Sequence, residues 1–399
     1  MKRKEFILSS AGVLIGSMAS ANLLWSHPKT NHLNSIINIG VIGTGGRGKG
    51  IIKLLNKISG FNVIACCDVI PFRLKEGFSL LKYKNAKSYT DYKQLLENRD
   101  IDAVLVSTPL STHSKIAFDA LDADKHVYCE KTLAKGVSDT VRLVTKCAQT
   151  KKIFQTGHQY HSSRMYSALV NLIKDGKVGK ITSIESQWNR NGDWRKPVPD
   201  QKLEHQINWR MYREYSYGLL AELSSHQIDF ANWILKGTPK KAIGFGGIDY
   251  WKDGRETYDN IKVVYEYDKG VKASYTCLTS NAMEGYRIMV MGDKGTLTIY
   301  QDQAWFYPEG KYNASYGEVD GVSGATVGWT KGKGVRLDLK HLDPTAQALT
   351  DFKDSILNNT NPLSGIVTGA KAAYAVEMGI QAMDTNKVTY WDNINYKLE

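Results

Sequence analysis

Residues Ile37–Gly48 read Ile-Asn-Ile-Gly-Val-Ile-Gly-Thr-Gly-Gly-Arg-Gly, and this stretch decides the fold. Residues 36–42 form a short apolar run, which is typical of a strand buried on both faces. Gly43, Gly45 and Gly48 then follow in the spacing G-x-G-x-x-G, and an amphipathic segment comes after them. Glycines suit such a turn because side chains would hold a pyrophosphate away from the N–H groups that open the helix.

A second strand-like run, residues 62–67, ends at Asp68, twenty residues after Gly48. A carboxylate at this distance is expected to bind a ribose and to repel the 2′-phosphate of NADP, so we predict NAD as the cofactor. Arg47 and Arg73 weaken that preference, which leaves NADP open, and an ordinary glycine-rich turn is the alternative. The cofactor contacts predicted here are Gly43, Thr44, Gly45, Gly46, Arg47, Gly48, Asp68 and Arg73.

Strands and helices alternate from residue 36 to about residue 155, which predicts a doubly wound parallel sheet. Its strand-like runs are 36–42, 62–67, 101–107, 126–129 and 153–156. Ligands of such sheets lie at the carboxyl ends of the strands. The loops at 107–113 and 129–133 are therefore expected to face the dinucleotide.

The pattern changes beyond residue 155, where consecutive alternating runs predict an open-faced, mostly antiparallel sheet. A helix at about 219–235 interrupts them, and residues 308–334 are expected to loop over a surface. The predicted domains are a Rossmann domain at 36–155, a sheet domain for substrate binding and oligomerisation at 156–343, and C-terminal helices at 344–399 that return toward the first domain.

The composition is that of an ordinary globular protein, with 42% hydrophobic and 23% charged residues. The net charge is +12, but no Lys/Arg cluster with interleaved aromatics occurs, so we expect no nucleic-acid partner. An odd count of five cysteines argues against a disulfide framework. No Cys/His spacing resembles a zinc site, and no metal is expected.

The first 21 residues are predicted to be an export signal. Lys2, Arg3 and Lys4 precede an apolar stretch, and Ala19-Ser20-Ala21 offers a cleavage site. The basic segment resembles a twin-arginine signal, and residues 22–35 form a polar linker. We expect a periplasmic or exported protein rather than a cytoplasmic one, with no stable membrane insertion once the signal is removed; an uncleaved anchor is the alternative.

Two sets of polar residues are candidates for chemistry. Lys131 stands beside Glu130 at the edge of the predicted parallel sheet, where its pKa is apt to be perturbed. Glu222 and His226 are four residues apart, hence on one face of a helix. A carboxylate can hold an imidazole in one tautomer and raise its basicity, as a general base requires. Solvated surface ion pairs are the alternative at both places.

These segments together resemble the Gfo/Idh/MocA family, the glucose–fructose oxidoreductase and inositol dehydrogenase group, over residues 36–390. Besides the glycine turn, the family's E-K-P element matches Glu130-Lys131-Thr132, with Thr in place of Pro. The family's motif helix matches Tyr217–Asp229, where Glu222 replaces the usual Asp. Its T-P-x-x-x-H element matches Thr108, Pro109 and His113.

The resemblance implies a nicotinamide dinucleotide in the first domain and a sugar or cyclitol on the second. Lys131 and His226 would flank the reacting carbinol, with His226 as base and Lys131 polarising the oxygen. Glu222 would orient His226 or contact a second hydroxyl. The cofactor contacts that the resemblance adds are Thr108, Pro109, His113, Glu130, Lys131 and Gln159. The expected substrate contacts are Tyr160, His161, Arg164, Trp194, Arg195, Arg210 and Tyr212.

The segments 188–195 and 208–213 interleave Trp and Tyr with Arg and Asn, a composition suited to carbohydrate. A structural aromatic cluster under a loop is the alternative. We expect a small carbohydrate as substrate and a homodimer or homotetramer, since open sheet faces commonly pair.

Three functions remain open at this stage. The first is an NAD(P)-dependent dehydrogenase that oxidises a ring hydroxyl, with C3 as one position. The second is an NAD-dependent glycosidase of the α-N-acetylgalactosaminidase type, which oxidises, eliminates and then reduces. The third is a dinucleotide-dependent binding protein without turnover, which the presence of both Lys131 and His226 disfavours.

Overall fold

The structure is a computed structural model that describes residues 36–309 and 334–394. The predicted signal at 1–21 and the linker at 22–35 lie outside the described residues, as does most of the loop predicted at 308–334. The described residues from Ile37 onward belong to one structural unit.

A parallel sheet forms the first half of this unit. Its strands in the described chain follow the order β3-β2-β1-β4-β5-β6, and every adjacent pair is parallel. The strand order reverses between β1 and β4, which is where such sheets bind their ligands. The strands are β1 (Ile37–Ile42), β2 (Phe61–Cys67), β3 (Lys87–Tyr89), β4 (Ala103–Val106), β5 (His126–Cys129) and β6 (Phe154–Thr156).

Helices cover both faces of the parallel sheet, as its fully apolar strands require. One core cluster contains Ile52 and Leu105, and a second, on the other face, contains Val106 and Leu143. The predicted doubly wound fold is confirmed. The helices of this region are α1 (Gly46–Leu55), α2 (Pro71–Phe78), α3 (Tyr92–Leu96), α4 (His113–Asp122) and α5 (Val137–Ala148).

A second sheet follows, in the strand order β14-β13-β12-β11-β7-β10-β9-β8-β15 over the described residues. Only β7 and β10 pair in parallel there, so the sheet is mostly antiparallel, as predicted. Its strands are β7 (Ile181–Asn191), β8 (Lys241–Gly247), β9 (Asn260–Glu266), β10 (Lys272–Leu278), β11 (Ser280–Gly292), β12 (Gly295–Ile299), β13 (Ala304–Pro308), β14 (Val335–Leu337) and β15 (Thr389–Tyr390).

Helices pack against one face of the second sheet, and the C-terminal helix joins the two halves. Ala370 and Tyr374 of that helix lie in a core cluster of the first sheet, whereas Val376 and Met378 lie in the core of the second. In the described part of the chain, no helix has the length and apolar character needed to cross a bilayer. These helices are α6 (Arg164–Lys174), α7 (Glu204–Ile207), α8 (Ser225–Leu235), α9 (Pro344–Asn358) and α10 (Ile366–Thr385), and a π-helix, Leu220–Ser224, runs directly into α8.

Candidate active site between the two sheets

The glycine turn has the geometry that a pyrophosphate needs. Gly43 has φ +90°, and a Cβ on Gly48 would lie 1.9 Å from the Gly43 carbonyl oxygen. A Cβ on Gly45 would meet only the Arg73 guanidinium, at 3.8 Å, so the turn is open on that side. No side chain caps the start of α1. Its N–H groups can therefore receive an anion.

Asp68 lies at the end of β2 with 9% of its surface exposed. Its Oδ2 accepts a hydrogen bond from the Thr44 N–H at 2.7 Å, and its Oδ1 accepts one from the Ile70 N–H at 2.9 Å. Thr44 is fully buried and its N–H holds the Asp68 carboxylate in place, while its contact with a cofactor stays a prediction. The two carboxylate oxygens keep further lone pairs that can accept hydrogen bonds from a ligand. Asp68 can therefore accept a hydrogen bond from a ribose hydroxyl, and this contact stays a prediction.

Arg47 and Glu130 form an ion pair across the crevice. The Arg47 Nη2 lies 2.7 Å from the Glu130 Oε1, and Arg47 also donates to the Thr345 hydroxyl at 3.2 Å. Burial opposes the Arg47 charge, but Glu130 raises the pKa of Arg47 overall. These contacts join the glycine turn to the loop after β5 and to the start of α9, so both side chains have a structural role.

His113 joins the two predicted cofactor loops. Its Nδ1 lies 2.8 Å from the Thr132 carbonyl oxygen and its Nε2 lies 2.9 Å from the Thr108 carbonyl oxygen. Burial lowers the pKa of His113, and a neutral imidazole can donate only one of these two contacts. His113 therefore positions the backbone on both sides of the crevice.

A cavity of about 220 Å³ lies where these loops meet the motif helix. It brings together the three predicted catalytic residues, Lys131, Glu222 and His226. Ser107 and Trp209 line it as well and were not among the predicted site residues. Ser107 could have been found because it directly follows β4, and it donates to the Gly43 carbonyl at 2.7 Å. The predicted cofactor and substrate residues that line the cavity are Arg47, Thr108, His113, Glu130, Gln159 and Arg210.

The Lys131 ammonium donates a hydrogen bond of 2.8 Å to the Glu222 carbonyl oxygen. The Lys131–Thr132 peptide bond is cis, although threonine occupies the position of the family's proline. Burial lowers the pKa of Lys131, and the Glu222 and Glu130 carboxylates partly oppose that effect. The lysine thus has hydrogen-bond donors left for a ligand oxygen in the cavity.

His226 is 6% exposed and its ring stacks on Tyr160 at a centroid distance of 5.1 Å. Its Nδ1 is buried and has no hydrogen-bond partner among the described residues. Burial, followed by the Lys131 ammonium and His158, holds the pKa of His226 well below its usual 6.5. The imidazole is therefore neutral near pH 7 and can accept a proton.

The predicted pairing of Glu222 with His226 is wrong. The Glu222 carboxylate instead accepts hydrogen bonds from the Arg210 Nε at 2.9 Å and the Ser216 hydroxyl at 3.0 Å. Burial opposes ionisation of Glu222, but Arg210 and Lys131 lower its pKa overall. The four-residue spacing assumed an α-helix, whereas residues 220–224 form a π-helix, and a guanidinium is the stronger partner for a carboxylate.

Comparison with known proteins decides the family. Residues 37–158 match the model described as an oxidoreductase family with an NAD-binding Rossmann fold, and residues 166–298 match the GFO/IDH/MocA C-terminal domain. The chain belongs to the Gfo/Idh/MocA oxidoreductase family. Its parallel sheet is an NAD-binding Rossmann domain, and the cofactor prediction is confirmed at this level.

Individual relatives are similar over part of their length. The inositol 2-dehydrogenase of Salmonella typhimurium is 29% identical over 203 residues, 50% of this chain and 53% of that protein. A glycosyl hydrolase family 109 protein of Shewanella pealeana is 27% identical over 233 residues, 53% of this chain and 50% of that protein. The chain thus spans about half the length of these curated relatives.

Among solved structures, levoglucosan dehydrogenase in complex with NADH has a TM-score of 0.73 at 16% identity, covering 89% of this chain and 99% of that one. At this identity the likeness concerns the fold alone.

Three residues predicted from the Gfo/Idh/MocA resemblance to bind substrate have other partners. The Tyr160 ring stacks on the Tyr166 ring at 4.0 Å, behind His226. His161 lies 3.0 Å from an Asp229 carboxylate oxygen and stacks on a tryptophan. Arg164 forms an ion pair with Asp351 of α9 at 3.1 Å. None of the three lines the cavity, and their contacts with a substrate stay predictions.

The aromatic loop of this family member is partly structural. Arg195 forms ion pairs with Glu204 and with Asp253, and the Tyr212 hydroxyl donates to Glu204 at 3.0 Å. Arg195, Tyr212 and Trp194 do not line the cavity, and their contacts with a substrate stay predictions. Arg210 does line it, and its guanidinium lies 4.1 Å from the Trp209 ring centroid.

Pro109 and Arg73 flank the cavity without lining it. The Pro109 carbonyl accepts the Thr112 hydroxyl at 2.8 Å, and the Arg73 carbonyl accepts the Thr44 hydroxyl at 2.8 Å. Burial lowers the pKa of Arg73 while Asp68 opposes that effect, so the arginine lies near the carboxylate predicted to bind ribose. The described residues contain no cluster of three or more side chains suited to a metal ion.

Proposed function

We propose that the protein is an NAD-dependent oxidoreductase that oxidises a ring hydroxyl of a sugar, glycoside or cyclitol, with C3 of a pyranose as the first position to examine. The observation that carries this proposal is the convergence of Lys131 and His226 on one cavity, beside the glycine turn of an NAD-binding domain. The similarity to an inositol 2-dehydrogenase supports a polyol or sugar as the substrate class.

Bound NAD would supply the acceptor for the hydride that leaves the substrate carbon. His226 is neutral near pH 7, so it can take the proton from the substrate hydroxyl. The Lys131 ammonium places positive charge beside the same oxygen, which stabilises the alkoxide character that develops there. Glu222 holds Arg210 at the cavity wall, where the guanidinium can donate to a second hydroxyl.

The test is incubation of the purified protein with NAD and a panel of glycosides, sugars and cyclitols. Nicotinamide absorbance reports hydride transfer, and analysis of the keto product reports which carbon is oxidised. We expect turnover with at least one polyol, and its loss in Lys131→Met and His226→Asn. Absence of any redox change across the panel, in a protein that binds NADH, would contradict the proposal.

A second candidate is an NAD-dependent glycosidase, in which transient oxidation precedes elimination of the aglycone and the cofactor is restored. The similarity to a glycosyl hydrolase family 109 protein favours it. Release of free sugar without net NADH would support this candidate over the dehydrogenase.

NAD rather than NADP is proposed as the preferred form because the Asp68 carboxylate would repel a 2′-phosphate. Arg73 is the residue that would soften this preference, since it lies near Asp68. Separate titrations of the protein with NADH and NADPH, followed by nicotinamide fluorescence, give the ratio of the two dissociation constants. Equal affinities would contradict the assignment of Asp68.

Export and assembly are further parts of the proposal. The basic and apolar segments at 1–21 support periplasmic location, which the amino-terminal sequence of protein purified from the periplasm would test.

Exposed apolar residues of β8 and β9 support a dimer or tetramer: Ile243 is 44%, Phe245 69% and Val264 39% exposed on one sheet face. Light scattering gives the assembly state, and a monomer would contradict this part.

A further inference from the structure

Arg190 lies at the end of β7 on the sheet face that carries the catalytic helix. Side chains alternate along a strand, and Ile184 and Ser186 are buried on the face that packs against the π-helix and α8. Trp188 is half-buried and Arg190 exposed at the next two positions of that face. Arg190 thus extends beyond the core on the side of His226, and away from the open face of the sheet.

Two tryptophans hold the Arg190 guanidinium. Its central carbon lies 5.7 Å from the Trp188 ring centroid and 5.3 Å from the Trp194 ring centroid. Trp194 has φ +66°, and its buried indole Nε1 has no hydrogen-bond partner among the described residues. Stacking on the rings orients a guanidinium while leaving its N–H groups free to donate in the ring plane.

Arg190 also lacks the carboxylate partner that the neighbouring arginines have. Arg47 pairs with Glu130, Arg210 with Glu222, and Arg195 with Glu204 and Asp253. For Arg190, the described residues supply no ion pair or side-chain hydrogen bond. Partial desolvation, followed by the neighbouring Arg210 charge, lowers the pKa of Arg190, and no carboxylate is among the groups that act on it.

Trp188 is a neighbour of both His226 and Arg190. Its ring centroid lies 6.1 Å from that of His226 and 5.7 Å from the Arg190 guanidinium carbon. Arg190 is thus one side chain removed from His226. A ligand bound at His226 that extends along the Trp188 ring would reach the guanidinium.

We propose that the substrate is an acidic sugar, whose carboxylate or phosphate is bound by Arg190 between Trp188 and Trp194. This inference rests on the proposed function, since it names the substrate class of the same site. A guanidinium presents paired N–H groups that match both anions, and an arginine already oriented by stacking loses little freedom on binding. The anion supplies the negative charge that the protein does not.

The experiment is calorimetric titration of the NADH-loaded protein with methyl glucoside, methyl glucuronide and glucose 1-phosphate. We expect at least one anionic sugar to bind roughly 10- to 100-fold more tightly than the glucoside at low salt, with the advantage shrinking as salt is added. Comparison of the carboxylate with the phosphate ligand distinguishes the two sources of charge. Equal affinity for all three, or no binding of either anionic sugar, overturns the inference.

Variants assign the effect to Arg190. Arg190→Met keeps the stem between the tryptophans and should remove the anionic preference while leaving affinity for the glucoside within about threefold. Arg190→Lys should retain part of the preference for anionic sugars. Arg287→Met is the matched control, because Arg287 lies on β11 and pairs with Glu284. An undiminished preference in Arg190→Met overturns the inference.

Calorimetry needs no turnover, so the two proposals can fail separately. Tight binding of an anionic sugar without any NADH formation or sugar release would sink the dehydrogenase and keep the role of Arg190. Turnover of neutral sugars, without tighter binding of anionic sugars, would keep the dehydrogenase and sink the role of Arg190.

Discussion

The Lys131 ammonium donates a hydrogen bond to the backbone carbonyl of Glu222 at 2.8 Å. This contact joins the loop after the fifth strand of the Rossmann sheet to the π-helix that precedes the His226 helix. The Thr132 hydroxyl adds a second bond of this kind, to the Ala221 carbonyl at 2.9 Å. Lys131 is therefore positioned by backbone atoms, which leaves the Glu222 carboxylate free to hold Arg210.

The pH profile should reveal the buried state of His226. Burial holds its pKa well below the usual 6.5, and the neutral form is the active base. We expect kcat/KM for sugar oxidation to stay level as the pH falls from 8 to 6.5 and to decline only below that. A half-maximal point between pH 6.5 and 7.5 would show a solvated histidine and contradict the assignment.

Folding must be followed in the same pH range, because His158 is fully buried and its pKa is lowered to about 4. The unfolded chain binds this proton near pH 6.5, whereas the folded chain does so only near pH 4. Stability is therefore complete above pH 6.5 and falls toward pH 4, by up to roughly 1.4 kcal/mol per pH unit for this group. Circular dichroism distinguishes unfolding from titration of His226.

Replacing Glu222 by Gln tests whether Arg210, rather than His226, is the partner of the Glu222 carboxylate. The amide cannot form the ion pair with Arg210, so we expect KM for the sugar to rise roughly threefold to tenfold. The Glu222 charge raises the pKa of Lys131, and its removal should move an alkaline limb of the profile to lower pH. The acid limb set by His226 should not move. A shifted acid limb would restore the Glu222–His226 pairing that the structure lacks.

Three glycines of the first turn and helix separate cofactor binding from folding. Gly48→Ala places a Cβ 1.9 Å from the Gly43 carbonyl oxygen, and we expect a loss of about 1–3 kcal/mol in unfolding free energy. Gly45→Ala meets nothing closer than 3.8 Å, so the fold should persist while NADH affinity falls roughly tenfold or more.

Gly50→Ala is the matched control, since a Cβ there has no neighbour within 4 Å. A small gain in thermal stability and unchanged NADH affinity are expected of it. Thermal unfolding without cofactor and fluorescence titration with NADH give the two quantities. A Gly45→Ala protein with wild-type affinity would show that the pyrophosphate does not approach this turn.

The architecture could be predicted wherever burial imposes a pattern on the sequence. Ala103–Val106 lies within the predicted run 101–107, and Lys272–Leu278 is one of the alternating runs predicted beyond residue 155, because each strand has a face that must be apolar. The edge strand Lys87–Tyr89 was missed, since its side chains are exposed or half-exposed and carry no such pattern. The short strand Val335–Leu337 was missed as well, since only one of its three side chains, Leu337, is buried.

The site could be predicted only where the backbone alone decides position. Lys131 follows a parallel strand and His226 lies on the motif helix, so the topology brings both to the crevice. Side-chain partners were not predictable in this way. Arg164 lies in the part of the chain that resembles the family, yet its guanidinium forms an ion pair with Asp351, nearly two hundred residues further along. Likewise, the i,i+4 rule misplaced Glu222 because a π-helix does not obey it.

The most direct test of the central claim is a double-variant cycle on Lys131 and His226, measured as the rate of NADH formation by protein saturated with NAD. If both side chains act on one substrate oxygen, Lys131→Met and His226→Asn should each slow oxidation by about 10²- to 10⁴-fold, with NADH affinity kept. The double variant should then be little slower than the worse single variant. The account would be contradicted if the double variant were slowed by the full product of the two single effects, or if either single variant kept wild-type turnover.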